Sequence, residues 1–257
     1  MTTPDAAPLL VERDGAVVTL RLDRPHVLNA LDGALVEALL DAVAEVHASP
    51  DVRCLVMAGN GRGFSAGADL TGMLAMSVAE FSAFIDRLQE LARRMRALTI
   101  PTIAAVQGHA LAGGFELALA CDIRAAATNA VFGLPDTGIG LSPTSGMSFL
   151  LPRVVGEGWA RHLLLTGEWI DAAQAERIGL VSRVVAPDEL AETATNLAFE
   201  LAAHPTDGLA HIKAELARGT DADFEAALED EARREVACFE TDEVRQRLRA
   251  FVERRRP

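Results

Sequence analysis

Cysteine is scarce in this chain. Cys54, Cys121 and Cys238 stand far apart in apolar surroundings. No two of them have metal-ligand spacing, and three scattered thiols suit a reducing compartment better than a disulfide framework. The six histidines form no His-Glu-x-x-His pattern, so no metal site is expected. Positive charge is also in short supply: 24 Lys and Arg face 37 Asp and Glu, for a net charge of −13. That balance argues against a nucleic-acid partner. The exception is a C-terminal cluster of Arg245, Arg247, Arg249 and Arg254-Arg255-Arg256, which reads first as a solvated helix face. No uncharged apolar run is long enough to span a bilayer, and the N-terminus lacks a signal-sequence pattern. A soluble, cytoplasmic protein with no membrane partner is expected. Internal repeats and long polar linkers are missing too. Half of the 257 residues are hydrophobic, enough for one large core or a core with an appendage.

What is present alternates between two periods. Ala16 to Leu22 alternates like a strand, and Asp23-Arg24-Pro25 ends it. Leu35, Leu39, Leu40, Val43 and Val46 recur at helical spacing behind Asp32, a suitable cap. Cys54 to Ala58 and Thr102 to Val106 read as short buried strands, separated by a glycine loop (Gly59 to Gly67) and an amphipathic helix (Val78 to Leu98). Short strands are expected at Asp122 to Ala127, Ala130 to Phe132 and Leu180 to Val185, with a loop at Leu134 to Gly146. Helices are expected at Trp159 to Leu165, Asp171 to Arg177 and Glu189 to Ala203, and throughout from Pro205. This order implies an α/β core with right-handed crossovers over residues 1–200, followed by a helical region, 201–257.

The chemistry concentrates in Gly108-His109-Ala110-Leu111-Ala112-Gly113-Gly114-Phe115-Glu116. A strand end and a glycine hinge lead into an apolar helix with a carboxylate in its first turn. Helix starts expose unpaired N–H groups, and glycine lets a ligand approach them. A buried carboxylate is expensive unless it is bonded or functional. A second loop, Gly63-Phe64-Ser65-Ala66-Gly67-Ala68-Asp69-Leu70, is placed to supply an opposing N–H, as an oxyanion hole requires. The same loop matches G-x-G-x-x-A from Gly61, but no acid ends the following strand as a dinucleotide site requires. It also matches G-x-S-x-G, but Gly59-Asn60-Gly61-Arg62 separates the strand from the motif, unlike a nucleophile elbow. Asp136 is the next carboxylate in a loop, His109 reads first as a structural histidine, and His26 as a solvated one.

Four segments together resemble the enoyl-CoA hydratase/isomerase (crotonase) superfamily: Arg24-Pro25-His26-Val27-Leu28-Asn29-Ala30-Leu31, Gly63 to Leu70, Ala110 to Glu116, and Phe132-Gly133-Leu134-Pro135-Asp136. The resemblance implies a crotonase-like spiral of ββα units with a C-terminal helical trimerisation region. It implies an acyl-CoA thioester substrate, no cofactor beyond the coenzyme A that is part of that substrate, and a homotrimer or a hexamer of paired trimers. By motif position it assigns the oxyanion hole to the N–H groups of Ala66 and Gly113, and catalysis to Glu116 and Asp136. It assigns CoA binding to His26, Val27, Leu28, Ala68, Asp69, Leu70 and Arg254. Hydratases of the family usually carry Glu where this chain has Asp136, and a later position that is acidic in some relatives is Thr144 here. Hydration of a trans-2-enoyl-CoA is the leading expectation. A Δ3,Δ2-enoyl-CoA isomerase is the runner-up, and an inactive acyl-CoA-binding scaffold the non-enzymatic alternative.

Overall fold

The computed structural model describes residues 7–217 and 221–254, apart from the side chains at 221, 222, 227 and 254. Strands β1 (Leu9–Asp14) and β2 (Val17–Leu22) form a hairpin whose turn glycine, Gly15, has φ +56°. A single 3-10 turn leads to α1 (Gly33–Ala48), where the Asp32 carboxylate accepts the Leu35 N–H at 2.9 Å. This cap satisfies a donor that the helix cannot pair internally. After β3 (Cys54–Gly59) come α2 (Leu70–Ala75) and α3 (Val78–Ala97), the latter opened by a Ser77–Glu80 capping box. The chain continues through β4 (Thr102–Val106), β5 (His109–Leu111), α4 (Gly113–Leu119), β6 (Ile123–Ala127), β7 (Val131–Gly133) and α5 (Asp136–Ile139). It ends with α6 (Met147–Thr166), β8 (Ile170–Asp171), α7 (Ala172–Arg177), β9 (Arg183–Val185), α8 (Leu190–Ala203), α9 (Thr206–Ala217), α10 (Asp221–Glu240) and α11 (Asp242–Arg254).

A six-stranded sheet runs β1-β2-β3-β4-β6-β9, parallel except for the β1–β2 pair, and a three-stranded sheet runs β5-β7-β8. Alternation along the strands splits the interior in two. Leu20, Leu22, Leu55, Met57, Ala104 and Val106 join the main core, which also takes in α1, α3 and α4. Val17, Val56, Ala58, Ile103 and Ala105 face the other way and pack against Leu190, Ala194 and Ala198 of α8. The C-terminal helices return to the main core. Phe239 of α10 stacks on Phe81 of α3 with ring centroids 3.9 Å apart, and burying one such ring is worth about 1.5–3 kcal/mol.

Several short elements differ from the sequence expectation. Strand β1, helix α2 and the single turn α5 are additional: β1 is exposed beyond Leu9 and shows no apolar alternation, and α2 and α5 are too short to display a period. Helix α6 begins at Met147 rather than Trp159; Pro152 sits inside it, and Gly156 interrupts it at φ 78°, ψ 157°. The strand expected at Leu180 to Val185 is confined to β9.

Candidate functional site

The loop between β3 and α2 is held by Asn29, which is fully buried. Its Nδ2 lies 2.9, 2.9 and 3.1 Å from the carbonyl oxygens of Asn60, Gly63 and Phe64, and its Oδ1 accepts the Arg24 N–H at 2.8 Å. Ser65 is buried, and its hydroxyl donates to the Asn29 carbonyl at 2.8 Å. That commitment removes Ser65 as a nucleophile.

Backbone pairing decides which N–H of this loop is available. The Ala66 N–H donates to the Leu28 carbonyl at 2.9 Å, so the expectation that Ala66 supplies an oxyanion donor is corrected. Two residues on, Leu31 pairs with Ala68 as a parallel bridge: Leu31 N–H donates to Gly67 O at 2.8 Å, and Asp69 N–H to Leu31 O at 2.9 Å. Such a bridge uses groups flanking Ala68 and turns the Ala68 N–H to the opposite side. Gly113 lies there. A Cβ on Gly113 would sit 3.8 Å from Ala68 N, and a Cβ on Gly67 (φ +87°) only 3.2 Å from Gly113 N. The Gly113 N–H is itself one of the unpaired donors that open α4. Ala112, just before it, is held at φ 48°, ψ −125°, a strained backbone for a residue with a side chain, and its N–H is tied to Gly133 O at 3.0 Å.

Glu116 is 4% exposed. Thr144 grips both its oxygens: the backbone N–H donates to Oε1 and the hydroxyl to Oε2, each at 2.7 Å. Burial pushes the Glu116 carboxyl above its ordinary range, and the Thr144 bonds pull against it. Asp136 is the first residue of α5, and its Oδ2 is buried with no hydrogen-bond partner among the described residues. Burial, then the charge of Glu116, pushes Asp136 up to about 7. Ala68, Gly113, Glu116 and Asp136 line one cavity of about 180 Å³, whose remaining wall is largely apolar and includes Leu70, Met73, Phe84, Leu88, Ile139 and Leu141. The arrangement suits a substrate with a carbonyl oxygen to be polarised, and carbon atoms beside it to exchange protons.

A family model described as enoyl-CoA hydratase/isomerase matches residues 12–257. The chain belongs to this family. It is 36% identical over 249 residues to a short-chain-enoyl-CoA hydratase of Clostridium acetobutylicum, covering 96% of this chain and 95% of the relative. It is 37% identical to a crotonyl-CoA hydratase of Syntrophomonas wolfei, covering 96% of each. Among solved structures, an enoyl-CoA hydratase from Mycobacterium avium subsp. paratuberculosis superposes with a TM-score of 0.89 at 31% identity, covering 98% of both chains.

In this enoyl-CoA hydratase/isomerase family member, the residues expected to bind CoA divide. Leu28 (φ 54°), Ala68 and Leu70 line the cavity. His26 is exposed and Val27 half-buried, and neither lines the cavity. The Asp69 carboxylate caps α2, accepting the N–H groups of Thr71 and Gly72 at 3.1 and 3.3 Å. It also lies 3.6 Å from Arg24. Arg254 closes α11, but its side chain, like Arg255 and Arg256, lies outside the described residues. No helix among the described residues is long and apolar enough to cross a membrane.

Sequence reasoning missed three residues of the family member's site. Ala68 was expected only to bind CoA, and the part its N–H plays opposite Gly113 went unread. Thr144 was weighed only as a place where an acid is missing, whereas it is the clamp on Glu116. Glu235 of α10 reads as one more acid on an acidic helix, yet it is 4% exposed and lines the cavity. Glu231, one turn earlier, is also buried. It accepts the N–H groups of Gly146 and Ser148 at 2.7 and 2.8 Å and so braces the segment that carries Thr144.

Proposed function

We propose that the protein is an enoyl-CoA hydratase that adds water across the 2,3 double bond of a trans-2-enoyl-CoA to give a 3-hydroxyacyl-CoA. The observation that carries this is the convergence of the Ala68 and Gly113 N–H groups, Glu116 and Asp136 on one largely apolar cavity. The two N–H groups receive the thioester oxygen. Each is worth about 3 kcal/mol in the transition state, because charge develops on that oxygen as the nucleophile adds.

Glu116 in its ionised form, which the Thr144 bonds favour against the effect of burial, takes a proton from water while the water oxygen bonds to Cβ. The π electrons move onto the thioester oxygen. Asp136, near 7 and therefore partly protonated at neutrality, delivers a proton to Cα as the enolate collapses. The proton gained by Glu116 then resets Asp136, so the cycle is balanced. Coenzyme A takes part only as the substrate's carrier. Position 136 is one methylene shorter than the usual Glu, and about 1 Å matters in such a site. A Δ3,Δ2-isomerase that moves one proton between Cα and Cγ is the reading this shorter side chain keeps open.

Incubation of crotonyl-CoA in 18O-labelled water separates the two, because hydration incorporates solvent oxygen and isomerisation does not. Glu116→Gln should lower kcat by about 10²- to 10⁴-fold while acyl-CoA binding, measured by calorimetry, persists. Retained hydration in that variant would refute the assignment. A homotrimer or a hexamer of paired trimers is the assembly we propose, and analytical ultracentrifugation of the 27.3 kDa chain tests it.

A further inference from the structure

The hydration steps above make no use of Glu235. It projects from α10 into the wall of the cavity that also holds Glu116 and Asp136. Its Oε2 accepts the Ser142 N–H at 2.5 Å. The side chain is out of bulk solvent, and its neighbours in the wall include Ile139, Leu141 and Phe251. Asp136 Oδ2, in the same cavity, has no hydrogen-bond partner among the described residues. A purely hydrocarbon chain filling this space would strip water from these oxygens and offer nothing in return, which is unfavourable for buried polar groups. A chain with an oxygen at the matching position would complete their hydrogen bonding.

We infer that Glu235 determines specificity by hydrogen-bonding an uncharged oxygen substituent, a hydroxyl or a carbonyl, on the acyl tail of the substrate. The inference rests on the enoyl-CoA reading for the other end of that substrate. Burial first, then the charges of Asp136 and Glu116, pushes the Glu235 carboxyl up to about 8. Near neutrality it therefore holds its proton and can both donate and accept. An anionic tail would meet Glu116, and Asp136 in its ionised fraction, at close quarters, so the substituent is uncharged.

The test uses two isosteric thioesters, trans-2-hexenoyl-CoA and 5-hydroxy-trans-2-pentenoyl-CoA, in which a hydroxyl replaces the terminal methyl. The readout is the ratio of their kcat/KM values. The wild-type chain should favour the hydroxylated thioester by at least about tenfold. Glu235→Leu should shift the ratio about 100-fold towards hexenoyl-CoA, and Glu235→Gln, which still donates and accepts, should keep the wild-type direction. Glu235→Met, unbranched and of similar length, replaces the Leu variant if that one fails to fold. A wild-type ratio near one, or a ratio the apolar variant leaves unchanged, overturns the inference. If the wild-type chain hydrates neither thioester, the hydratase reading fails by itself. Calorimetric affinities for hexanoyl-CoA and 5-hydroxypentanoyl-CoA then decide on Glu235: about tenfold tighter binding of the hydroxylated ester supports it, and equal binding overturns it.

Discussion

Replacing Thr144 with Val removes one hydroxyl and nothing else from the grip on Glu116. The side chain keeps its shape, and the Thr144 N–H still reaches Oε1 at 2.7 Å, while the 2.7 Å bond to Oε2 is lost. That bond favours the charged carboxylate, and burial disfavours it. Its removal therefore raises the proton affinity of Glu116 further. A hydrogen bond to an ionised group contributes about 1.5–3 kcal/mol, equivalent to roughly 10- to 150-fold in the ratio of ionised to neutral Glu116. Hydration needs the ionised form, so the acidic limb of the kcat/KM profile should move to higher pH. Below that limb the variant should be slower by roughly one to two orders of magnitude, and the gap should narrow as the pH rises. Because Glu116 and Asp136 interact, the limb belongs to the pair rather than to either residue. The assay is crotonyl-CoA hydration from pH 5 to 9.5, with circular dichroism confirming that the variant is folded at each pH. A uniform loss of rate with the limb in its original place would refute the electrostatic reasoning and leave Thr144 as a matter of orientation alone.

Gly67→Ala tests the paired N–H groups. The new Cβ would sit 2.7 Å from Ala112 Cβ and 2.8 Å from Leu111 O, on a backbone at φ +87°, so the two loops must separate. The expected result is a fall in kcat of about 10²-fold or more in a chain that still folds; normal turnover would show that the spacing of Ala68 and Gly113 is immaterial. Stability should also depend on the buried carboxyls. Asp136, Glu231 and Glu235 sit at about 7, 7 and 8 in the folded chain, against 3.8–4.5 when free. A folded state that binds its protons more tightly is favoured below the free values, and this contribution is lost as the pH rises through 7 to 8. The melting temperature of the wild-type chain minus that of Glu235→Gln should therefore decline from pH 5 to pH 9, and a constant or rising difference would show that Glu235 is ionised in the fold.

Much of this molecule was legible in its local patterns. Alternation located β2 and helical spacing located α1 and α3, because each reports which face of a segment is buried, while short continuous apolar runs located the fully buried β3 and β4. Glu116 stood out because an apolar helix has no local use for a carboxylate. Asp136 read only as the next carboxylate in a loop until the resemblance gave it a role, since a single turn of helix carries no pattern of its own. The choice between Ala66 and Ala68 was beyond local reading. Both are alanines in one loop, and which N–H is free depends on whether Leu28 or Leu31, far back in the chain, takes up the neighbouring groups. Glu235 was hidden for a related reason: α10 carries acids on several faces, and only its packing against α3 and α6 turns this one inward. Sequence alone determined several of the main elements, the family and the Glu116 carboxylate, since each is written in residues that are neighbours along the chain. Tertiary structure decided which amide is free, what holds Glu116, and that a third carboxyl faces the cavity, because the direction of an N–H and the burial of a charge are set by partners that folding brings from elsewhere.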